Sequence, residues 1–148
     1  MTALDALTAA FAPLRTHTWA YPALEVVHIV GIALLLGNLV LLELRVWGRG
    51  RALPMADLAR LTLALALGGF ALAAASGLLM FASQAGELMA NRAFVIKMGL
   101  LMAAGANAAV FHARGSLTKL DAMARLQTGL SLLVWLAVIT CGRWIAYL

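Results

Sequence analysis

The sequence predicts an all-α, four-helix transmembrane bundle with a short N-terminal amphipathic interfacial helix. Three observations carry that prediction. Of the 148 residues, 64% are hydrophobic, against roughly 45–50% in an ordinary soluble domain. Only 11% are charged, where about 25% is usual. The apolar residues also gather into four stretches, each long enough to cross a hydrocarbon core of about 30 Å, which takes roughly 20 helical residues. This composition excludes a disordered chain and a water-soluble enzyme of the ordinary kind, and the length suits a single integral membrane domain over 1–148. The formal charge of +5 would suggest nucleic acid in a soluble chain. Here the basic residues sit between apolar runs, which is the pattern of membrane topology, and no nucleic-acid partner is expected.

The interfacial helix is expected within 1–18. Leu4, Leu7, Phe11 and Leu14 recur at helical spacing, with Thr2, Asp5 and Thr8 elsewhere on the turn. The segment lacks a basic start, carries Asp5 and meets Pro13 and Arg15, so it is not a secretory signal and is expected to be retained. Trp19 and Tyr21, residue types favoured at the membrane–water interface, mark the start of the first span. The spans are expected at about 22–47, 56–83, 92–111 and 126–148. Helices are required because unpaired backbone groups cannot be left in lipid, and no alternation suggests a barrel. Pro54 breaks the first loop, and the link from His112 to Arg125 reads as short and polar. Gly69, Ala73 and Gly77 recur every four residues in the second span. Such small residues let helices approach closely, within this bundle or in a homo-oligomer.

Orientation follows from the basic residues. Arg45, Arg49, Arg51, Arg60, Arg114, Lys119 and Arg125 flank two loops on one side, while Arg15, Arg92 and Arg143 lie on the other. Seven against three places both basic loops in the cytoplasm. Both termini then face the periplasm, in a multi-pass protein of the bacterial inner membrane.

Ionisable groups inside a span face a bundle interior, a partner or a cofactor. At about 1.5 Å per residue, His28 lies roughly 10 Å below the outer surface, Lys97 roughly 8 Å, and Cys141 and Arg143 roughly 8–10 Å. Glu25 precedes His28 by three residues on the same helix face. Ser83, Gln84 and Met80 close the second span at this level, so four helices deliver polar or metal-binding side chains to one layer. Asn38, Glu43, Asn107 and His112 form a second layer near the cytoplasm, too deep for His112 to share one small cofactor with His28. Glu43 beside Arg45 reads as an ion pair at the membrane edge, and Asn107 as a bond across helices.

Several chemistries fit the outer layer. A neutral imidazole ligates haem iron, whose other axial position can stay empty or take a weak partner. His28 would be that ligand, Lys97 and Arg143 would pair with the propionates, and Glu25 would hold the histidine tautomer. Gly31, Gly99 and Ala103 would leave room for a flat ring. The leading expectation is therefore a b-type haem protein that handles electrons near the periplasmic face, exchanging them with quinone or a periplasmic redox protein. A membrane oxidoreductase is one form this takes. Copper is the alternative, because Cu(I) favours thiolate and thioether ligands, here Cys141, Met80 and Met98 with His28. The third reading is a cofactor-free structural subunit in which Glu25, His28 and Lys97 form an ion-pair network. Packing is the plainer role for the methionines and for Cys141, and snorkelling to the outer surface for Lys97 and Arg143. No GxGxxG, HExxH or GxSxG motif occurs.

The segments YPALEVVHIVGIALLLGNLVLLELRVWG and NRAFVIKMGLLMAAGANAAVFH resemble a family of small bacterial four-span membrane proteins of unknown function. The shared pattern is Glu-x-x-His-x-x-Gly, a second glycine, an acidic residue two or three positions before Arg, then Phe-x-x-Lys in the third span. Glu25, His28, Gly31, Gly37, Glu43, Arg45, Phe94 and Lys97 fall on it. More distantly, a histidine early in one span and a lysine early in a later one resemble the HemJ-type protoporphyrinogen oxidases. That likeness implies a haem-ligand role for His28 and a porphyrin contact for Lys97. A comparable likeness to CopD-type copper-resistance membrane domains implies copper instead.

Overall fold

The computed structural model describes residues 2–147; Met1 and Leu148, the outermost residues of the expected first and last elements, lie outside them. Among the described residues the chain forms seven helices and no strand. Helix α1 (Ala3–Thr16) starts at a reciprocal cap: Asp5 N donates to Thr2 Oγ1 at 3.2 Å, and Thr2 N donates to the Asp5 carboxylate at 2.7 Å. Helix α2 (Ala20–Val46) carries Pro22 in its first turn, where the missing N–H leaves no gap in the ladder. Helix α3 (Met55–Ala82) follows Pro54, and a short α4 (Ala85–Ala90) follows it. Asn91 caps α5 (Arg92–Ala113) by accepting from Phe94 N at 3.2 Å. A one-turn α6 (Ser116–Lys119) leads to α7 (Ala122–Trp144).

Helices α2, α3, α5 and α7 are long and apolar enough to cross a membrane, so this is a multi-pass membrane protein with an additional N-terminal helix. The first three start and end within two residues of the expected spans. The last span differs. It begins four residues before its expected start, because the Asp121 carboxylate accepts from Ala124 N at 2.8 Å and starts the helix there, and it ends at Trp144. The expected third loop is also more structured than a polar link, since α6 lies within it.

The interior is built from small residues, including Ala59, Ala66, Ala73, Ala93, Ala104 and Ala124. Large apolar side chains face outward instead, as with Ile29 at 64% and Met102 at 76% exposed, where lipid covers them. Burying leucine against protein gains little when the alternative is lipid, so close backbone approach becomes the main source of contact. The tightest approach joins α2 to α3. A Cβ on Gly31 would lie 2.6 Å from Ala73 N, and one on Gly69 would lie 2.6 Å from Leu35 N. The Gly69–Ala73–Gly77 stripe is therefore filled from within the chain.

Helices α5 and α7 form the second close pair, and α2 links the pairs through α7. Trp47, at the end of α2, donates its indole N–H to Thr128 Oγ1 at 2.8 Å on α7. Helices α3 and α5 do not pack along their length. They meet where Phe81 stacks on Phe94, with ring centroids 5.5 Å apart. Helix α1 lies against α4, with contacts to α2 and α3, and Arg15 pairs with Glu87 at 3.1 Å. At the opposite end, Arg114 donates to Asp121 at 3.1 Å and to Gln127 Oε1 at 3.2 Å, while buried Ser116 donates to the same Gln127 oxygen.

Two predictions follow from these contacts. Gly31→Ala and Gly69→Ala should each lower stability by about 1–3 kcal/mol, the range for overpacking a fitted contact. Gly37→Ala, whose Cβ meets nothing within 4 Å, should leave the thermal midpoint in detergent unchanged. Equal midpoints for all three variants would contradict the close approach. The second prediction concerns Asp121, whose carboxyl is held below its ordinary value by the Ala124 N–H and then by Arg114. A depressed folded pKa stabilises the fold above the unfolded value of about 3.9, and that stabilisation is lost as pH falls through the folded value. The midpoint advantage of the wild type over Asp121→Asn should be full near neutral pH and vanish in acid below that value. A constant advantage across the titration would rule out this role.

Candidate functional site

His28 sits on α2 one turn before Gly31, and the α2–α3 approach carries it against α3. The absence of a side chain at Gly77 makes room for the ring, whose Cε1 is 3.1 Å from where a Cβ would stand. His28 Nδ1 lies 3.1 Å from Ser76 Oγ. Ser76 is buried, and its hydroxyl lies 2.7 Å from the Leu72 carbonyl oxygen and 3.2 Å from that of Ala73. A hydroxyl has one proton, and these carbonyls can only accept it. The contact with the Leu72 carbonyl is the shortest of the three and takes the hydroxyl proton, which makes Ser76 Oγ an acceptor toward His28 and favours the Nδ1–H tautomer. That leaves Nε2 with a free lone pair, and it makes no hydrogen bond among the described residues.

Lys97 on α5 comes to the same level. It lies within electrostatic reach of both His28 and Cys141. Its Nζ is 3.4 Å from where a Gly142 Cβ would stand, so a second glycine admits the lysine against α7. Gln84 Nε2 donates to the Tyr21 hydroxyl at 2.8 Å and ties the end of α3 to the start of α2. His28, Lys97 and Cys141 thus form one layer fed by three spans, with Ser76 of the fourth beneath the imidazole.

Four sequence expectations change here. Glu25 is exposed and makes no hydrogen bond to His28 among the described residues; Ser76 holds the ring instead, because the imidazole turns toward the gap left by Gly77. Arg143 does not join Lys97. Helix α7 ends at Trp144, so Arg143 stands in its last turn, where it donates to the Tyr147 hydroxyl at 2.6 Å and lies over that ring at 4.9 Å. Gly31 leaves no room for a flat group, since the α3 backbone fills the space. Glu43 and Arg45 do not pair. Two residues on a helix differ by about 200° in direction, so Arg45 donates to the Leu53 carbonyl at 3.0 Å while Glu43 turns inward and is 5% exposed.

One other expectation is met. Asn107 bonds across helices, donating to the Gln127 carbonyl at 3.0 Å. Gly99 is open, and Cys141 and Met80 are half-buried. Met98 is 45% exposed on α5. Among the described residues no three His, Cys, Asp or Glu side chains come together to hold a metal ion. Ser76 escaped the sequence reading although a signal existed: it is the one hydroxyl within the small-residue stripe, directly before Gly77. No family model, curated protein or solved structure matches the chain.

Proposed function

We propose that this chain is a b-type haem protein of the bacterial inner membrane that handles electrons near the periplasmic face, with His28 as the residue that would hold the iron. The observation that carries the reading is the free Nε2 of an imidazole whose Nδ1–H is fixed on Ser76. A porphyrin brings four nitrogens of its own and needs a single strong protein ligand, which suits a layer holding one histidine. A bare copper ion needs several protein ligands at once, and exposed Met98 makes that set the weaker reading. Haem, when bound, supplies a one-electron couple. His28 holds it, and Ser76 orients the ring and raises its basicity. Lys97 offers a cation to a propionate, and the apolar helices exclude water. Pairing by Arg143 and tautomer control by Glu25 are not carried over. The likeness of His28 and Lys97 to the HemJ-type pattern points the same way.

The basic loops favour an orientation with both termini in the periplasm, where α1 would lie along the membrane surface. Quinone or a periplasmic redox protein would exchange electrons with this layer.

The test is haem content after purification in mild detergent from cells supplied with haem precursor. His28→Ala should lose the haem bands while keeping its helical circular dichroism. Ser76→Ala should keep the haem, bind it about tenfold more weakly, and show a raised midpoint potential, because a less basic imidazole stabilises the oxidised iron less. Full haem retention in His28→Ala would sink the assignment.

A further inference from the structure

Helix α2 carries a second buried polar group that the haem layer does not use. Glu43 lies 15 residues beyond His28, about 22 Å further along the helix. It is 5% exposed; the Ser131 hydroxyl of α7 faces its carboxyl group, and its Oε2 has no hydrogen-bond partner among the described residues. Nor does a cation of the chain answer it: the two ion pairs among the described residues are Arg15–Glu87 and Arg114–Asp121. A buried acceptor left this way is costly unless something fills its place.

The carboxylate borders a cleft of about 310 Å³ whose lining includes Leu67 and Phe70 of α3, Asn107 and Phe111 of α5, and Ser131 and Trp135 of α7. That volume lies at the low end of small-molecule sites, roughly 300–1,000 Å³. Because α3 and α5 do not pack along their length, the gap between them leads from the bundle surface into the cleft. Leu67 at 69% and Phe70 at 43% exposed stand at that opening. A molecule dissolved in the bilayer can reach Glu43 by this route without crossing water.

We propose that this cleft binds a membrane-dissolved hydroxyaromatic of the hydroquinone class. One hydroxyl donates to Glu43 Oε2, the ring lies among Phe70, Phe111 and Trp135, and the apolar tail leaves between α3 and α5. A neutral donor suits the route better than a lipophilic cation, because an ammonium would have to shed its water before passing an apolar opening. Asn107 strengthens the match: its Nδ2 is committed to the Gln127 carbonyl, so its own carbonyl oxygen remains a second acceptor. The indole N–H of Trp135 has no partner among the described residues and can serve the other oxygen of the ligand. The site is separate from His28 and stands whether or not haem binds there.

The test uses the full chain in lipid nanodiscs, under reducing conditions, with decylhydroquinone and its dimethyl ether as probes and tryptophan fluorescence as readout. The hydroquinone should quench saturably and bind about tenfold more tightly than the ether, the hydrogen bond from its hydroxyl to Glu43, which the ether cannot make, being the difference. Trp135→Phe should remove most of the signal. Glu43→Leu should bring the hydroquinone to the affinity of the ether and leave the ether unchanged. If that variant does not fold, the comparison of the two probes on the wild type decides by itself. Equal affinities, a signal that never saturates, or tighter binding of decylamine would each overturn the proposal. These outcomes would assign the cleft to acyl chains in the first two cases and to cations in the third.

Discussion

The rest of the structure depends on the backbone contact between α2 and α3 at Gly31 and Gly69. In water a bundle coheres by hiding leucines, but in lipid that drive is absent and helices gain by approaching closely. Each of these glycines stands where a Cβ would run into the backbone of the other helix. The contact sets the register of the pair. One turn before it, His28 meets Ser76 and Gly77; three turns after it, Glu43 turns into the interior. Helix α2 therefore presents a polar group in each half of its length, and its packing on α3 and α7 decides what each one faces.

Polar contacts then close the two ends. On one side Gln84 reaches Tyr21, and Asn91 Nδ2 donates to the Ile145 carbonyl at 3.1 Å. On the other, Trp47 ties α2 to α7, and the Arg114, Ser116, Asp121 and Gln127 cluster ties the α5–α7 hairpin. Between these ends the wall is apolar, and α3 and α5 stay apart except where Phe81 stacks on Phe94. The stack closes the bundle near the His28 layer, while the Glu43 half remains open to the side. This asymmetry separates the two halves in chemistry as well as depth.

The spans were legible in the sequence because the cost of exposed backbone in lipid imposes long apolar helices. That His28, Lys97 and Cys141 share one level was legible for the same reason, since rise per residue turns sequence position into height along the bundle. Facing was not. Helices apolar on nearly every side carry little amphipathic signal, so the direction of Glu43 could not be read from its neighbour Arg45, though the angle between them already argued against their pairing. Arg143 stands in the last turn because α7 ends at Trp144, a boundary that the apolar residues following it hide in the sequence. Ser76 was missed because a serine among alanines and glycines reads as one more small residue, and only the opposing helix reveals its partner.

The most direct measurement of the account is the nitrogen-15 NMR spectrum of histidine-labelled protein prepared without haem. Three histidines are present, and loss of one signal set in His28→Gln identifies the relevant ring. His28 should carry its proton on Nδ1 and leave Nε2 bare. A ring protonated on Nε2, with Nδ1 bare toward Ser76, would contradict both the contact and the ligand position built on it.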